Sequence, residues 1–95
     1  MAAYIIGTMS ISDPELYAKY RAGVDEATQK YGGRFLVRGG AVESLEGAPF
    51  QKRLVVLEFA SMQALQKFWN SPEYDALKEI RRNASEADIW AVQGT

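Results

Sequence analysis

Few side chains in this 95-residue chain could do chemistry, and they cluster in a handful of positions. Glu58 sits between Leu57 and Phe59, a carboxylate at the end of the apolar run Leu54-Val55-Val56-Leu57. Such a carboxylate needs a cationic partner or a raised pKa, and a raised pKa makes it a candidate general base. Arg38 is its natural partner, because the two segments can lie antiparallel with positions 38 and 58 opposed. An arginine there can also hold a developing oxyanion. Tyr74 is the third catalytic candidate. It follows the Ser71-Pro72 break, where a side chain can turn inward at a pocket mouth. Tyr20 and Trp69 are candidate ligand contacts, with rings that can stack on a flat molecule. Arg81 joins them: it lies seven residues after Tyr74 on the same helical face and can grip a carboxylate bidentately. Each also has a structural reading. Glu58 with Arg38 can be a closing ion pair, the aromatic residues can be core at helical spacing, and Arg81-Arg82 suits the negative end of a helix.

The sequence excludes more than it names. It has no cysteine and no histidine. Disulfides, thiol nucleophiles, histidine bases and Cys/His metal sites are therefore impossible. Glu43 and Glu46 share a loop without EF-hand spacing, so no metal and no cofactor are expected. Gly32-Gly33 and Gly39-Gly40 lack the strand-to-helix context and the Lys-Ser/Thr ending of a phosphate loop. Eleven basic against twelve acidic residues leave a net charge of −1, so no nucleic-acid partner is expected. The start, Met1-Ala2-Ala3-Tyr4, has no basic stretch. The longest apolar run is far short of the roughly 20 residues that span a bilayer. A cytoplasmic protein without a membrane segment is expected.

The elements that must position these groups are legible. Residues 4–11 are β-branched and aromatic and predict a strand. Asp13-Pro14-Glu15 starts a helix, in which Leu16, Tyr17, Tyr20, Val24, Ala27 and Tyr31 form one stripe. Gly32-Gly33 ends it, with one glycine at positive φ. Residues 34–42 predict a second strand, with a bulge, or a close approach by another backbone or a ligand, at Gly39-Gly40. A loop over 43–52 leads to a third strand over 53–60. Ser61 caps a second helix, Pro72 opens a third, and residues 86–93 predict the last strand. Setting Asp13 against Ser61 puts Tyr17 over Leu65 and Tyr20 over Phe68, a faint internal repeat.

The order βαβ-βααβ predicts an α+β, ferredoxin-like, four-stranded antiparallel sheet over 1–95 as a single domain, with strands one and three central. Helices would cover one face of it. Both faces nevertheless read as apolar. Ile5 and Met9 oppose Tyr4 and Ile6, and Leu54 and Val56 oppose Val55, Leu57 and Phe59. The cheapest cover for the second face is the same face of another copy, so a homodimer through the sheet faces is expected.

Several runs together carry a resemblance over nearly the whole chain. They are Asp13-Pro14 with Tyr17 and Tyr20, Gly32-Gly33-Arg34-Phe35-Leu36, Arg38-Gly39-Gly40, Glu46-Gly47, Val56-Leu57-Glu58-Phe59 and Ser71-Pro72-Glu73-Tyr74. The set resembles the small bacterial domain-of-unknown-function family 1330. That resemblance implies a dimeric α+β barrel, a superfamily whose members include cofactor-free monooxygenases, haem proteins, isomerases and stress-responsive barrels. The family has no established reaction. The histidines several of those enzymes rely on are absent here, so no catalytic residue carries over. Three functions follow as expectations. The first is a barrel binding a small molecule in a pocket between helices and sheet. The second is a cofactor-independent enzyme using Glu58 with Arg38 and Tyr74. The third is a ligand-free structural or stress-associated dimer.

Overall fold

Capping side chains set where each helix begins. In a computed structural model of residues 1–95, β1 (Ala3–Ile11) is followed by α1 (Pro14–Lys30), β2 (Arg34–Arg38) and β3 (Arg53–Phe59). Then come α2 (Met62–Trp69), α3 (Pro72–Ala84) and β4 (Ser85–Gln93). The Asp13 carboxylate accepts from the Leu16 N–H, the Ser61 hydroxyl from Ala64 and the Ser71 hydroxyl from Tyr74, each at 3.1 Å. Each bond satisfies a donor that the first helical turn would otherwise leave unpaired. Ser71 also donates to the Phe68 carbonyl at 2.7 Å, so one hydroxyl ties the end of α2 to the start of α3. At the end of α1, Gly32 takes φ +78. Its N–H donates to the Gln29 carbonyl, and the Gly33 N–H donates to that of Thr28. This is the Schellman closure the glycine pair predicts.

The strands are all antiparallel, in the order β2-β3-β1-β4, with β3 and β1 central as expected. The inner face carries Ala3, Ile5, Met9, Val55, Leu57 and Phe59, all buried under the helices. Phe59 and Phe68 stack at 5.2 Å, and Phe68 and Tyr74 at 4.5 Å, forming the aromatic centre of the core.

No helix covers the outer face. Three rows cross it: Val92-Tyr4-Glu58-Arg34, Trp90-Ile6-Val56-Val37 and Asp88-Thr8-Leu54. The middle row is wholly apolar, and Trp90 in it is 54% exposed. The protomer is a slab with Cα extents of 35 × 34 × 16 Å, one sheet and one helix layer thick. Its accessible surface is 6131 Å², against about 5,500 Å² for a self-sufficient monomer of this mass.

β2 departs from expectation. It ends at Arg38, not at residue 42. Gly39 turns the chain away at φ +71 while its N–H donates to the Leu54 carbonyl at 2.9 Å. Residues 39–52 then form an irregular, largely exposed loop. The expected bulge is not at Gly39-Gly40 either. Arg34 and Phe35 pair with Glu58 and Leu57, and Val37 and Arg38 pair with Val56 and Val55, so Leu36 is the extra residue. A bulge inverts side-chain alternation beyond it. Arg34 therefore stands on the outer face and Arg38 on the inner one.

Candidate functional site

The inner face of the sheet, with α1, α2 and α3, encloses a cavity lined by fifteen residues, eleven of them hydrophobic. Its free volume is about 30 Å³, room for about two water molecules. The polar groups in its wall are tyrosines and arginines. Tyr17 and Tyr20 come from consecutive turns of α1, which puts both on one face. Tyr74 comes from the first turn of α3, where the Ser71 cap and Pro72 turn it inward. The Tyr20 and Tyr74 hydroxyls share a hydrogen bond of 2.9 Å. The Tyr17 hydroxyl donates to Met9 Sδ at 2.9 Å. Burial holds the Tyr20 hydroxyl well above the usual phenol range, and the neighbouring Tyr74 adds to it. Burial raises Tyr17 as well, against the opposing charge of Arg53. These two hydroxyls thus keep their protons at neutral pH and remain hydrogen-bond donors.

Four arginines line the same cavity: Arg21, Arg38, Arg53 and Arg81. Arg38 reaches it because of the bulge at Leu36. Its guanidinium lies over the Phe35 ring at 4.3 Å and pairs with Asp25 of α1 at 2.5 Å. Arg53 opens β3 and stands 5.7 Å from the centre of the Tyr17 ring, with its Nε buried and unpartnered. Gly39 closes over it so tightly that a Cβ there would strike the Arg53 guanidinium. Arg81 is 5% exposed, and its Nε also has no partner. None of the chain's ion pairs involves Arg53 or Arg81.

The structure brings together Arg38, Tyr20, Tyr74 and Arg81 from the sequence-based candidates. It separates the other two. Glu58 does not pair with Arg38. It faces Arg34 across the sheet, with 2.7 Å to Nη2 and 2.8 Å to Nε, on the outer face and away from the cavity. Its side chain is 24% exposed, so it is not the deeply buried carboxylate the sequence suggested. Within one subunit it cannot act as base for a substrate held by Arg38 and Tyr74. Trp69 packs 5.5 Å from Tyr74 but does not line the cavity. It borders a separate groove between α2 and β4 with Leu65, Ile89 and Trp90.

Sequence reasoning missed Arg53. Its signal is the period of two: Arg53 shares its face with Val55, Leu57 and Phe59, and a charge on a core-facing stripe has to be accommodated.

Known proteins align with the whole chain. The sequence profile described as Domain of unknown function (DUF1330) matches residues 2–95. No curated protein matches significantly. A crystal structure of a protein of unknown function from Rhodopseudomonas palustris is similar in fold, with a TM-score of 0.78 at 15% identity, covering 99% of this chain and 82% of that one. SnoaB, a cofactor-independent oxygenase from Streptomyces nogalater, superposes with a TM-score of 0.70 at 9% identity, covering 99% and 93%. A dimeric protein of unknown function and ferredoxin-like fold from Bacteroides fragilis gives 0.58 at 12% identity, covering 98% and 96%. At such identities the likeness is one of fold alone, a ferredoxin-like sheet with helices on one face. No helix of the chain is long and apolar enough to cross a membrane. With its profile matched from residue 2 to residue 95, this chain belongs to the DUF1330 family.

Proposed function

We propose that the protein is a cytoplasmic homodimer that binds a small molecule in the helix–sheet cavity of each subunit. The observation that carries the binding reading is the convergence of the Tyr20–Tyr74 hydroxyl pair and four arginines, Arg38 among them, on a cavity whose other lining is mostly apolar. Few, placed polar groups in an apolar wall are the usual form of a ligand site. The apolar row Trp90-Ile6-Val56-Val37 supports the dimer, because a solvent-facing sheet would alternate with polar residues there. The dimeric Bacteroides fragilis neighbour of like fold supports it too.

Native mass spectrometry of freshly purified protein, compared with the denatured mass, tests both parts. The expected result is a dimer with an added small mass. A monomer would overturn the assembly. A clean dimer whose melting temperature ignores a broad metabolite panel would overturn the binding reading and favour a ligand-free structural dimer.

A further inference from the structure

We propose that the ligand of this cavity is a small organic carboxylate, held by the guanidinium groups of Arg81 and Arg53 and by the one hydroxyl of the Tyr20–Tyr74 pair whose proton is not used between the two. The inference deepens the binding reading above and rests on it. Four arginines line the cavity, and none of the fifteen lining residues is Asp or Glu. The whole chain carries twelve acidic residues against eleven basic ones, so this excess of positive charge is local. Asp25 answers the charge of Arg38. No carboxylate of the chain pairs with Arg81, which has only the negative end of α3 beside it, is 5% exposed and sits in a wall that is mostly hydrocarbon. A buried cation without a counter-charge is costly. Its unused Nε–H adds the cost of an unmade hydrogen bond. The same holds for the buried Nε of Arg53. An incoming carboxylate supplies both the charge and the acceptors.

The chemistry selects among anions. A guanidinium is a planar fork that matches a planar carboxylate. The free volume of about 30 Å³ takes a carboxylate group more readily than a tetrahedral, more highly charged phosphate. One O–H of the Tyr20–Tyr74 pair is spent on the other hydroxyl, which leaves a single neutral donor for the ligand and suits a monoanion. Arg21 and Arg38, both exposed, mark the solvent side of the cavity and draw anions toward it. The body of the ligand lies at that side, against the ring of Phe35.

The full-length chain, benzoate and its neutral isostere benzamide test this. Benzoate is expected to raise the melting temperature in a dose-dependent way, and calorimetric titration is expected to show benzamide at least tenfold weaker. Arg81→Met is expected to do two things together. It should raise the melting temperature of the unliganded protein, since it removes an unanswered charge at similar volume, and it should weaken benzoate at least tenfold. Should that variant not fold, Arg53→Gln carries the same affinity test from a half-buried position. Benzamide binding as tightly as benzoate would overturn the carboxylate inference and leave the cavity reading intact. Neither compound binding would overturn both. Benzoate affinity unchanged in both variants would mean that the anion is held elsewhere, and would also overturn the inference. A lowered melting temperature with undiminished binding in Arg81→Met would make Arg81 a structural residue and sink its role as anion holder.

Discussion

Arg34 and Arg38 lie four residues apart and serve opposite faces of the sheet. Arg34 meets Glu58 on the outer face, and Arg38 meets Asp25 and Phe35 at the cavity. The two ion pairs therefore have separable consequences. Glu58→Gln is expected to leave ligand titrations of the cavity unchanged. It should lower protomer stability by no more than about 1 kcal/mol, the range of partly exposed pairs. A loss of cavity binding in that variant would contradict the placement of Glu58. Gly39 carries a sharper constraint. It combines φ +71 with a direct approach to the Arg53 guanidinium. Alanine at a left-handed position costs about 1–2 kcal/mol by itself, and the added Cβ displaces Arg53 as well. Gly39→Ala should therefore shift the urea midpoint downward by at least that amount. Gly40→Ala, with open space around it, should not. The sequence pointed to a close approach at this glycine pair by another backbone or a ligand, whereas the approach is by a side chain and to Gly39 alone. The identity of the approaching group was not legible, because Arg53 is distant in the chain and only the sheet brings it there.

Between elements, a clamp at one end of the helix layer holds α1 against α3. Lys30 and Tyr31, at the end of α1, both reach Glu73 in the first turn of α3, the hydroxyl of Tyr31 at 2.8 Å. The Lys30 ammonium, the backbone N–H of Glu73 itself and the Tyr31 hydroxyl hold that carboxyl down to about 2. The sign follows from linkage. A folded pKa below the unfolded 4.5 stabilises the protein above that value, and the contribution fades as pH falls through about 2. Melting curves of the wild type and Glu73→Gln should therefore differ at pH 7 and converge between about pH 4.5 and 2. A constant gap across that window would mean that the clamp acts by shape rather than by charge. The clamp sits one residue before Tyr74, so it also fixes the entry of α3 that aims this hydroxyl at Tyr20. Element types and order were legible from caps, periodicity and glycines. Asp13, Ser61 and Ser71 all act as the caps their positions suggest, and Tyr17, Leu65, Tyr20 and Phe68, which the faint repeat aligns, are all buried. Strand register was not legible. The bulge at Leu36 is a backbone event, and Leu36 differs in no sequence property from an ordinary strand residue. Reading β2 without it put Arg38 on the face of Glu58, and a register four residues out put the two opposite each other.

For the whole molecule, the 16 Å thickness of the slab is the main fact. Two layers leave one sheet face bare, and on that face Ile6 lies at the centre of the apolar row, half-buried by its neighbours alone. Ile6→Lys places a charge there without touching the helix-covered core. For the homodimer proposed above, sedimentation should show the variant as a folded monomer, and its melting temperature should fall with the loss of the partner. A variant that still dimerises would move the interface off the sheet face. Two-faced hydrophobicity was the feature of the sequence that reached furthest, since it foresaw a surface the isolated protomer leaves unfilled. The cavity reached least far, because its arginines come from α1, β2, β3 and α3, and no local pattern joins them. The bulge in β2 then has a consequence for how related chains are compared. Removing one residue between Gly33 and Gly39 would restore ordinary parity and send the second arginine to the outer face. The cavity would lose a cation although no side chain had been substituted. For the binding site proposed above, segment length is then a specificity determinant in its own right, and a one-residue gap in β2 between two homologues predicts a change of ligand charge before any change of residue does.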